Sequence, residues 1–305
     1  MYTTPKGAGL SAVRKITAPE LTARKLQKQG GAISMVTAYD FTMARLVDEA
    51  GVDMVLVGDS LGMIVQGASN TIPVTMDEMV YHTRAVARGL ARAHLTSDLP
   101  FMSYQVSPAQ AVENAGRLMK EGYAESVKLE GGAEVAEHVH RIVRAGIPVV
   151  GHVGLTPQSV HALGGFKVQG RGEDAADKVV RDALAIEEAG AFAIVLEAIP
   201  PDVAERITEV LSIPTIGIGA GAACNGQVLV CTDLLGMSRG HNPKFAKAFA
   251  PIGDQIVNAV QTYIAEVQAG TFPGPQHTYK SNNATRPAQP VYESLDEPLP
   301  LDLWH

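Results

Sequence analysis

Eight short apolar runs, most of them separated by longer amphipathic stretches, are what most restricts the folds open to this 305-residue chain. The runs cover residues 32–39, 54–57, 94–99, 126–129, 148–151, 192–196, 214–218 and 228–232. Between them, apolar residues recur at helical spacing over 41–50, 76–92, 108–120, 133–144, 173–188 and 204–211, and Gly51, Gly122 and Gly146 are placed to stop helices. Alternating β and α units of this kind build a parallel sheet, and eight strands are the number that closes a (β/α)8 barrel of the TIM type. An open doubly wound sheet uses the same units, but the first strand is not followed by the glycine-rich loop that its nucleotide-binding forms carry. The expected organisation is a single barrel domain over residues 19–271, an N-terminal arm over 1–18 and a C-terminal tail over 272–305; both ends are rich in Pro, Asn, Ser and Thr and lack periodicity.

Five chemically active side chains stand where an apolar run gives way to a loop: Asp59, Asp98, Glu130, His152 and Glu197. In a barrel of parallel strands such positions converge on one mouth, which points to an enzyme. The balance of 25 Lys and Arg against 32 Asp and Glu, a net charge of −7, offers no general attraction to nucleic acid or to an anionic membrane. Only Cys224 and Cys231 are present, with no metal-type spacing, as expected of a protein in a reducing cytoplasm. The chain contains neither a signal-like apolar core near its start nor an apolar stretch of the roughly 20 residues needed to cross a bilayer.

Asp59 and Asp98 follow the second and third runs and are placed as neighbours on one rim, where two hard oxygens suit Mg²⁺, with Glu130 able to join through water. Taken alone, Gly58-Asp59-Ser60 is equally a capped turn. Lys128 precedes Glu130 by two residues, so strand alternation sends both side chains into the barrel. There Lys128 is open to three roles: holding a substrate carboxylate, forming a Schiff base, or neutralising Glu130. His152 sits among the small residues of Gly151 to Pro157, which leaves room for a ligand contact or makes it a satisfied core histidine. Glu197 follows Ala193-Ile194-Val195-Leu196, apolar neighbours expected to raise its basicity toward what proton removal from carbon requires. The segment Gly164 to Gly172 carries Lys167 and Arg171 and reads as a lid or an ordinary mobile loop. The run Gly217-Ile218-Gly219-Ala220-Gly221 matches no full dinucleotide fingerprint.

Together, Val36-Thr37-Ala38-Tyr39-Asp40, Val57 to Met63, Asp98-Leu99-Pro100-Phe101, Val127 to Gly132, Gly151 to Pro157, Gly164 to Gly172 and Leu196-Glu197 resemble the ketopantoate hydroxymethyltransferase family of pantothenate biosynthesis, over roughly residues 20 to 272. The resemblance implies a (β/α)8 barrel in a homo-oligomer, a decamer, that binds Mg²⁺ and moves a one-carbon unit from 5,10-methylenetetrahydrofolate to the 2-oxo acid 3-methyl-2-oxobutanoate. It further implies Asp59 and Asp98 as metal ligands, Glu130 as support for the metal, and Glu197 as proton acceptor. Asp59, Ser60, Asp98 and Lys128 would hold the 2-oxo acid, and His152 would line its site. Asn225-Gly226 departs from the Asp-Gly usual before the eighth strand, and the tail beyond Pro273 is long for the family. A metal-dependent 2-oxo acid lyase, a lysine-dependent aldolase and a non-enzymatic scaffold are the alternatives that the same residues leave open.

Overall fold

The computed structural model describes residues 14–27, 31–240 and 243–280, which divide at Gly253 and Asp254 into two compact units. The first holds eight parallel strands, β1 (Ile33–Thr37), β2 (Met54–Val57), β3 (His94–Asp98), β4 (Ser126–Lys128), β5 (Val149–Gly154), β6 (Ala193–Glu197), β7 (Thr215–Ile218) and β8 (Gly226–Leu229), hydrogen-bonded in sequence order and closed by β8 on β1. The barrel expected from the eight apolar runs is the fold of the chain. Of the expected arm and tail, residues 1–13 and 281–305 lie outside the described residues.

Side-chain alternation divides each strand between two cores. Ile33, Met35, Met54, Leu56, Val150, Ala193, Val195, Ile216 and Val228 pack together in one cluster inside the barrel. The alternate residues Val55, Val57, Leu95, Val127, Val149, Ile194 and Leu196 pack outward with the helices. Those helices are α2 (Phe41–Glu49), α4 (Met76–Ala87), α5 (Pro108–Lys120), α6 (Ala136–Arg144), α8 (Glu173–Glu188) and α9 (Pro201–Val210); short helices α3 (Leu61–Ile64), α7 (Val160–Leu163) and α10 (Cys231–Leu234) ride on the loops. Their starts are written locally: Asp40 accepts from Met43 N, Thr75 and Glu78 form a reciprocal capping box, and Ser107 accepts from Gln110 N with Pro108 at the first turn.

Three boundaries differ from the sequence expectation, each for a tertiary reason. Helix α4 ends at Ala87 rather than near 92, because the Asp48 carboxylate gathers the amides of Ala91, Arg92 and Ala93 and turns the chain toward β3. Strand β5 runs on to Gly154, pairing His152 with Val195 and Gly154 with Glu197, so His152 lies inside the strand and not at its end. Strand β8 occupies 226–229, and the stretch expected to complete it turns into α10.

Helix α1 (Ala18–Gln27) was not foreseen. It closes the amino-terminal end of the barrel: Leu21 is fully buried in the interior cluster with Ile16. Thr22 Oγ1 donates to Phe192 O, Lys25 Nζ to Thr208 O, and Arg24 Nη2 lies 2.8 Å from Asp53 Oδ1. Also unforeseen is α11 (Ile252–Gln268), most of which belongs to the second unit and which exposes Ile256, Val257, Val260, Ile264 and Val267. Within that unit the Tyr263 and Phe272 rings meet edge-on at 5.6 Å.

Candidate active site

Asp98, Lys128, His152 and Glu197 lie on strands in phase with the interior residues, and Glu130 keeps the phase just beyond β4. Asp59 and Ser60 lie in the turn after β2, where backbone bonds from Leu61 N to Gly58 O and Gly62 N to Asp59 O start α3. All seven expected site residues therefore reach the carboxyl-terminal mouth. Asp59, Asp98, Lys128, Glu130 and His152 are each at most 5% exposed, a concentration of buried charge that a structural core does not tolerate without pairing.

The pairing is specific. Asp59 N donates to Asp98 Oδ2 at 3.1 Å, bringing the two carboxylate-bearing turns together. Lys128 Nζ stands 3.0 Å from Asp98 Oδ1 and 3.2 Å from His152 Nδ1. Glu130 Oε1 is 3.6 Å from the same imidazole nitrogen, while Oε2 accepts from Gln158 N at 3.0 Å. On the other side of the ring, His152 Nε2 is 3.2 Å from Glu197 Oε2. Tyr39 OH and Ser60 Oγ are 2.8 Å apart. The ion pair that Lys128 makes is thus with Asp98, where its sequence position suggested Glu130.

Burial pushes the Asp59 carboxyl well above the usual carboxylate range, and the nearby charges of Glu130 and Asp98 add to the rise against the opposing pull of Lys128 and Gln158. Asp98 is raised too, again first by burial, with Lys128 pulling it back. For Lys128 burial favours the neutral amine, but Asp98, Glu130 and Asp59 outweigh it and the group is held as an ammonium. Schiff-base formation needs the free amine, so this surrounding disfavours the lysine-dependent aldolase reading. Burial and Lys128 push His152 down, yet the carboxylates of Glu130 and Glu197 beside the ring prevail and raise it to about 9. In the charged ring Nδ1–H faces Glu130; in the neutral ring Nδ1 accepts from Lys128. Either way Nε2 carries hydrogen toward Glu197.

Two sequence expectations about surroundings are corrected. The small residues flanking His152 do not leave room for a ligand: a methyl on Gly151 would collide with Ile186 of α8, and one on Gly154, whose φ is +95°, with the Glu197 carbonyl. They let β5 approach the helix layer and β6 closely. Glu197 is also not in a purely apolar setting, since His152 faces its carboxylate and its side chain keeps 16% exposure. Lys167 and Arg171 in the 164–172 segment are exposed, and the segment is tied down where Gln169 N donates to Ala198 O.

Sequence reasoning missed Gln158 and Tyr104. Tyr104 OH lies 2.8 Å from Glu130 O and 2.9 Å from Gln158 Oε1, and Gln158 Nε2 donates to Asp59 Oδ2 and Leu99 O. Neither stands at a strand end, and an uncharged side chain in a loop gives no signal of its own.

Among the described residues no three His, Cys, Asp or Glu side chains form a ready-made metal cage. What is present is a carboxylate pair with an excess of buried negative charge. Asp98 Oδ1, although near the ammonium, is a buried oxygen with no aligned hydrogen-bond donor among the described residues. That donor set fits Mg²⁺, which takes one or two protein carboxylates and completes its shell with water and substrate oxygens.

A closed parallel barrel whose carboxyl-terminal mouth gathers a buried carboxylate pair, a buried ammonium and a facing Glu and His defines an α/β-barrel enzyme. Comparison with known proteins agrees on the fold and goes further. A phosphonopyruvate hydrolase, solved as a complex with oxalate and Mg²⁺, superposes at a TM-score of 0.55 with 14% identity over 86% of this chain and 93% of its own. A 2,3-dimethylmalate lyase of the PEP mutase/isocitrate lyase superfamily does so at 0.55 with 16% identity over 89% and 93%. These share the fold. The family model for ketopantoate hydroxymethyltransferase matches residues 15–275, and the chain belongs to that family of enzymes. Relatives named 3-methyl-2-oxobutanoate hydroxymethyltransferase include one from Syntrophus aciditrophicus, 57% identical over 87% of this chain and 97% of its own, and one from Anaeromyxobacter sp., 54% identical over 93% and 94%. No helix among the described residues is long and apolar enough to cross a membrane.

Proposed function

We propose that the protein transfers a one-carbon unit from 5,10-methylenetetrahydrofolate to 3-methyl-2-oxobutanoate, giving 2-dehydropantoate for pantothenate synthesis, with Mg²⁺ held by Asp59 and Asp98. The observation that carries this reading is the proximity of the carboxylate pair, Lys128 and the His152–Glu197 couple within one buried cluster. When bound, Mg²⁺ supplies Lewis acidity to the oxygens of the 2-oxo acid and so acidifies its C3–H bond. Glu130 steadies the cation site through its charge, while its own carboxylate is held by Gln158 N and His152.

Ser60 and the Lys128 ammonium bind the substrate carboxylate and orient C3 toward Glu197. His152 Nε2 stands 3.2 Å from Glu197 Oε2 without an aligned hydrogen bond to it, so the ring faces that oxygen electrostatically and Oε1 is the oxygen offered to the C3 proton. The electron pair of the broken C–H bond delocalises onto the keto oxygen. Water replaces both C–N bonds of the donor's methylene bridge, leaving a proton on each folate nitrogen and the one-carbon unit at the formaldehyde level. C3 bonds to that carbon while its oxygen takes the proton held by Glu197. With one water consumed, the products are 2-dehydropantoate and tetrahydrofolate. A cavity lined by Val74, Met76, Phe101, Met102 and Asn114 opens among the loops after β2 and β3, beside the turns that carry Asp59 and Asp98. Its walls mix the apolar Val74, Met76, Phe101 and Met102 with the hydroxyls of Thr75 and Ser103 and the amides of Gln110 and Asn114, which suits a flat aromatic donor with polar edges. The exposed apolar face of α11 suits burial between copies in a homo-oligomer.

The test is to incubate purified protein with 3-methyl-2-oxobutanoate, methylenetetrahydrofolate and Mg²⁺ and to assay 2-dehydropantoate. Without the donor, the wild type should exchange the C3 hydrogen in deuterated water, and Glu197→Gln should slow this by about 10²-fold or more while still binding the 2-oxo acid. Cleavage of the 2-oxo acid in place of its hydroxymethylation would assign a lyase instead, and unchanged exchange in the variant would remove Glu197 as the base.

A further inference from the structure

The most heavily bonded side chain at the barrel mouth carries no charge. Gln158 lies in the turn Pro157–Ser159 after β5, is 4% exposed, and bonds through every polar atom of its amide. Its Oε1 accepts from Tyr104 OH at 2.9 Å and from Gln105 Nε2 at 3.1 Å. Its Nε2 donates to Asp59 Oδ2 at 2.9 Å and to Leu99 O at 3.0 Å. Rotating the amide by half a turn would set its oxygen against the Leu99 carbonyl and the Asp59 carboxylate, so these two acceptors select the orientation seen. The backbone N–H of the same residue holds Glu130 Oε2. One loop residue thereby grips two carboxylates delivered by different strands.

We propose that Gln158 is a positioning residue for the cation site. It fixes the rotamer of Asp59 by occupying Oδ2, which leaves Oδ1 as the oxygen offered to the cation. It also holds Glu130 at a set distance. A neutral donor has an advantage here over a second lysine: it satisfies one carboxylate oxygen without cancelling the charge that attracts the metal. Tyr104 keeps the amide in place, its single hydroxyl proton standing between Gln158 Oε1 and Glu130 O. Outer partners of this kind orient ligands, and their loss typically costs about 10- to 100-fold in metal affinity.

The inference rests on Asp59 and Asp98 being the cation ligands, and binding of Mn²⁺ to the metal-free full-length protein tests both ideas separately. Free Mn²⁺ is followed by electron paramagnetic resonance, and thermal melting in EDTA is measured alongside. Gln158→Leu is expected to bind Mn²⁺ at least about 10-fold more weakly than wild type at temperatures where both are folded. A wild type that binds no Mn²⁺ overturns the cation reading and this inference with it. Wild-type affinity in the leucine variant, whatever its melting point, overturns the positioning role alone. If Gln158→Leu does not fold, Tyr104→Phe decides, because it removes one of the two bonds that hold the amide oxygen while keeping the ring. A roughly threefold loss of Mn²⁺ affinity supports the role, and an unchanged affinity overturns it.

Discussion

Lys128→Met removes the only ammonium paired with Asp98 among the described residues, and its effect on stability can be bounded. At 3.0 Å and an effective dielectric of about 20, Coulomb's law gives the pair about 5.5 kcal/mol of attraction. That figure overshoots, because an abandoned Asp98 takes up a proton before it endures the full loss. Measured from an ordinary unfolded Asp, neutralising the carboxyl costs at most about 4 kcal/mol at pH 7 and about 2 kcal/mol at pH 5, and the loss relative to wild type is smaller because burial already raises Asp98 there. Protonation is the cheaper escape and therefore sets the ceiling. The variant's folded state then holds a proton that its unfolded chain releases, so its stability relative to wild type falls as pH rises above the unfolded value. Urea denaturation of metal-free protein, at one fixed protein concentration, should show a loss of about 3 to 4 kcal/mol at pH 7 that shrinks below about 2 kcal/mol at pH 5. A loss below about 1 kcal/mol at both pH values, or a larger loss at pH 5 than at pH 7, would refute the assignment of Lys128 as the counter-charge of the buried carboxylates.

Three further outcomes are expected. Gly154→Ala should destabilise by about 3 kcal/mol and lower the rate of C3 exchange, since a φ of +95° is strained for alanine and its methyl would displace the Glu197 backbone; urea midpoints and deuterium exchange report the two effects. At the opposite end of the barrel, burial raises Asp53 but its bonds to Arg24 and Ser34 win and hold its carboxyl below the usual range. Asp53→Asn should therefore cost about 2 kcal/mol in urea at pH 7, a difference that fades as pH drops through the folded carboxyl's value. Leu21→Ala should cost about 2 to 5 kcal/mol by the same measurement without changing Mn²⁺ affinity, because it opens a cavity beneath the barrel and far from the mouth.

The strand count, the identities of most helices and the seven charged or hydroxyl residues at the mouth are local properties, and the sequence by itself determined them. Apolar runs of strand length must be buried, and a side chain at the end of such a run has one place to go once the sheet closes. The capping residues Asp40, Thr75 and Ser107 mark helix starts because the bonds they make span only three residues. Helix α1 was illegible for the opposite reason: its ten residues carry a weak local pattern, and what holds them is the barrel floor made by strands far along the chain. Tertiary structure alone decided that Lys128 pairs with Asp98, that glycines 151 and 154 serve close packing, and that Gln158 reaches Asp59 across 99 residues. Those outcomes depend on which strands become neighbours and how closely they approach. Spacing along a chain encodes the phase of a side chain, whereas only closure of the sheet converts phase into distance.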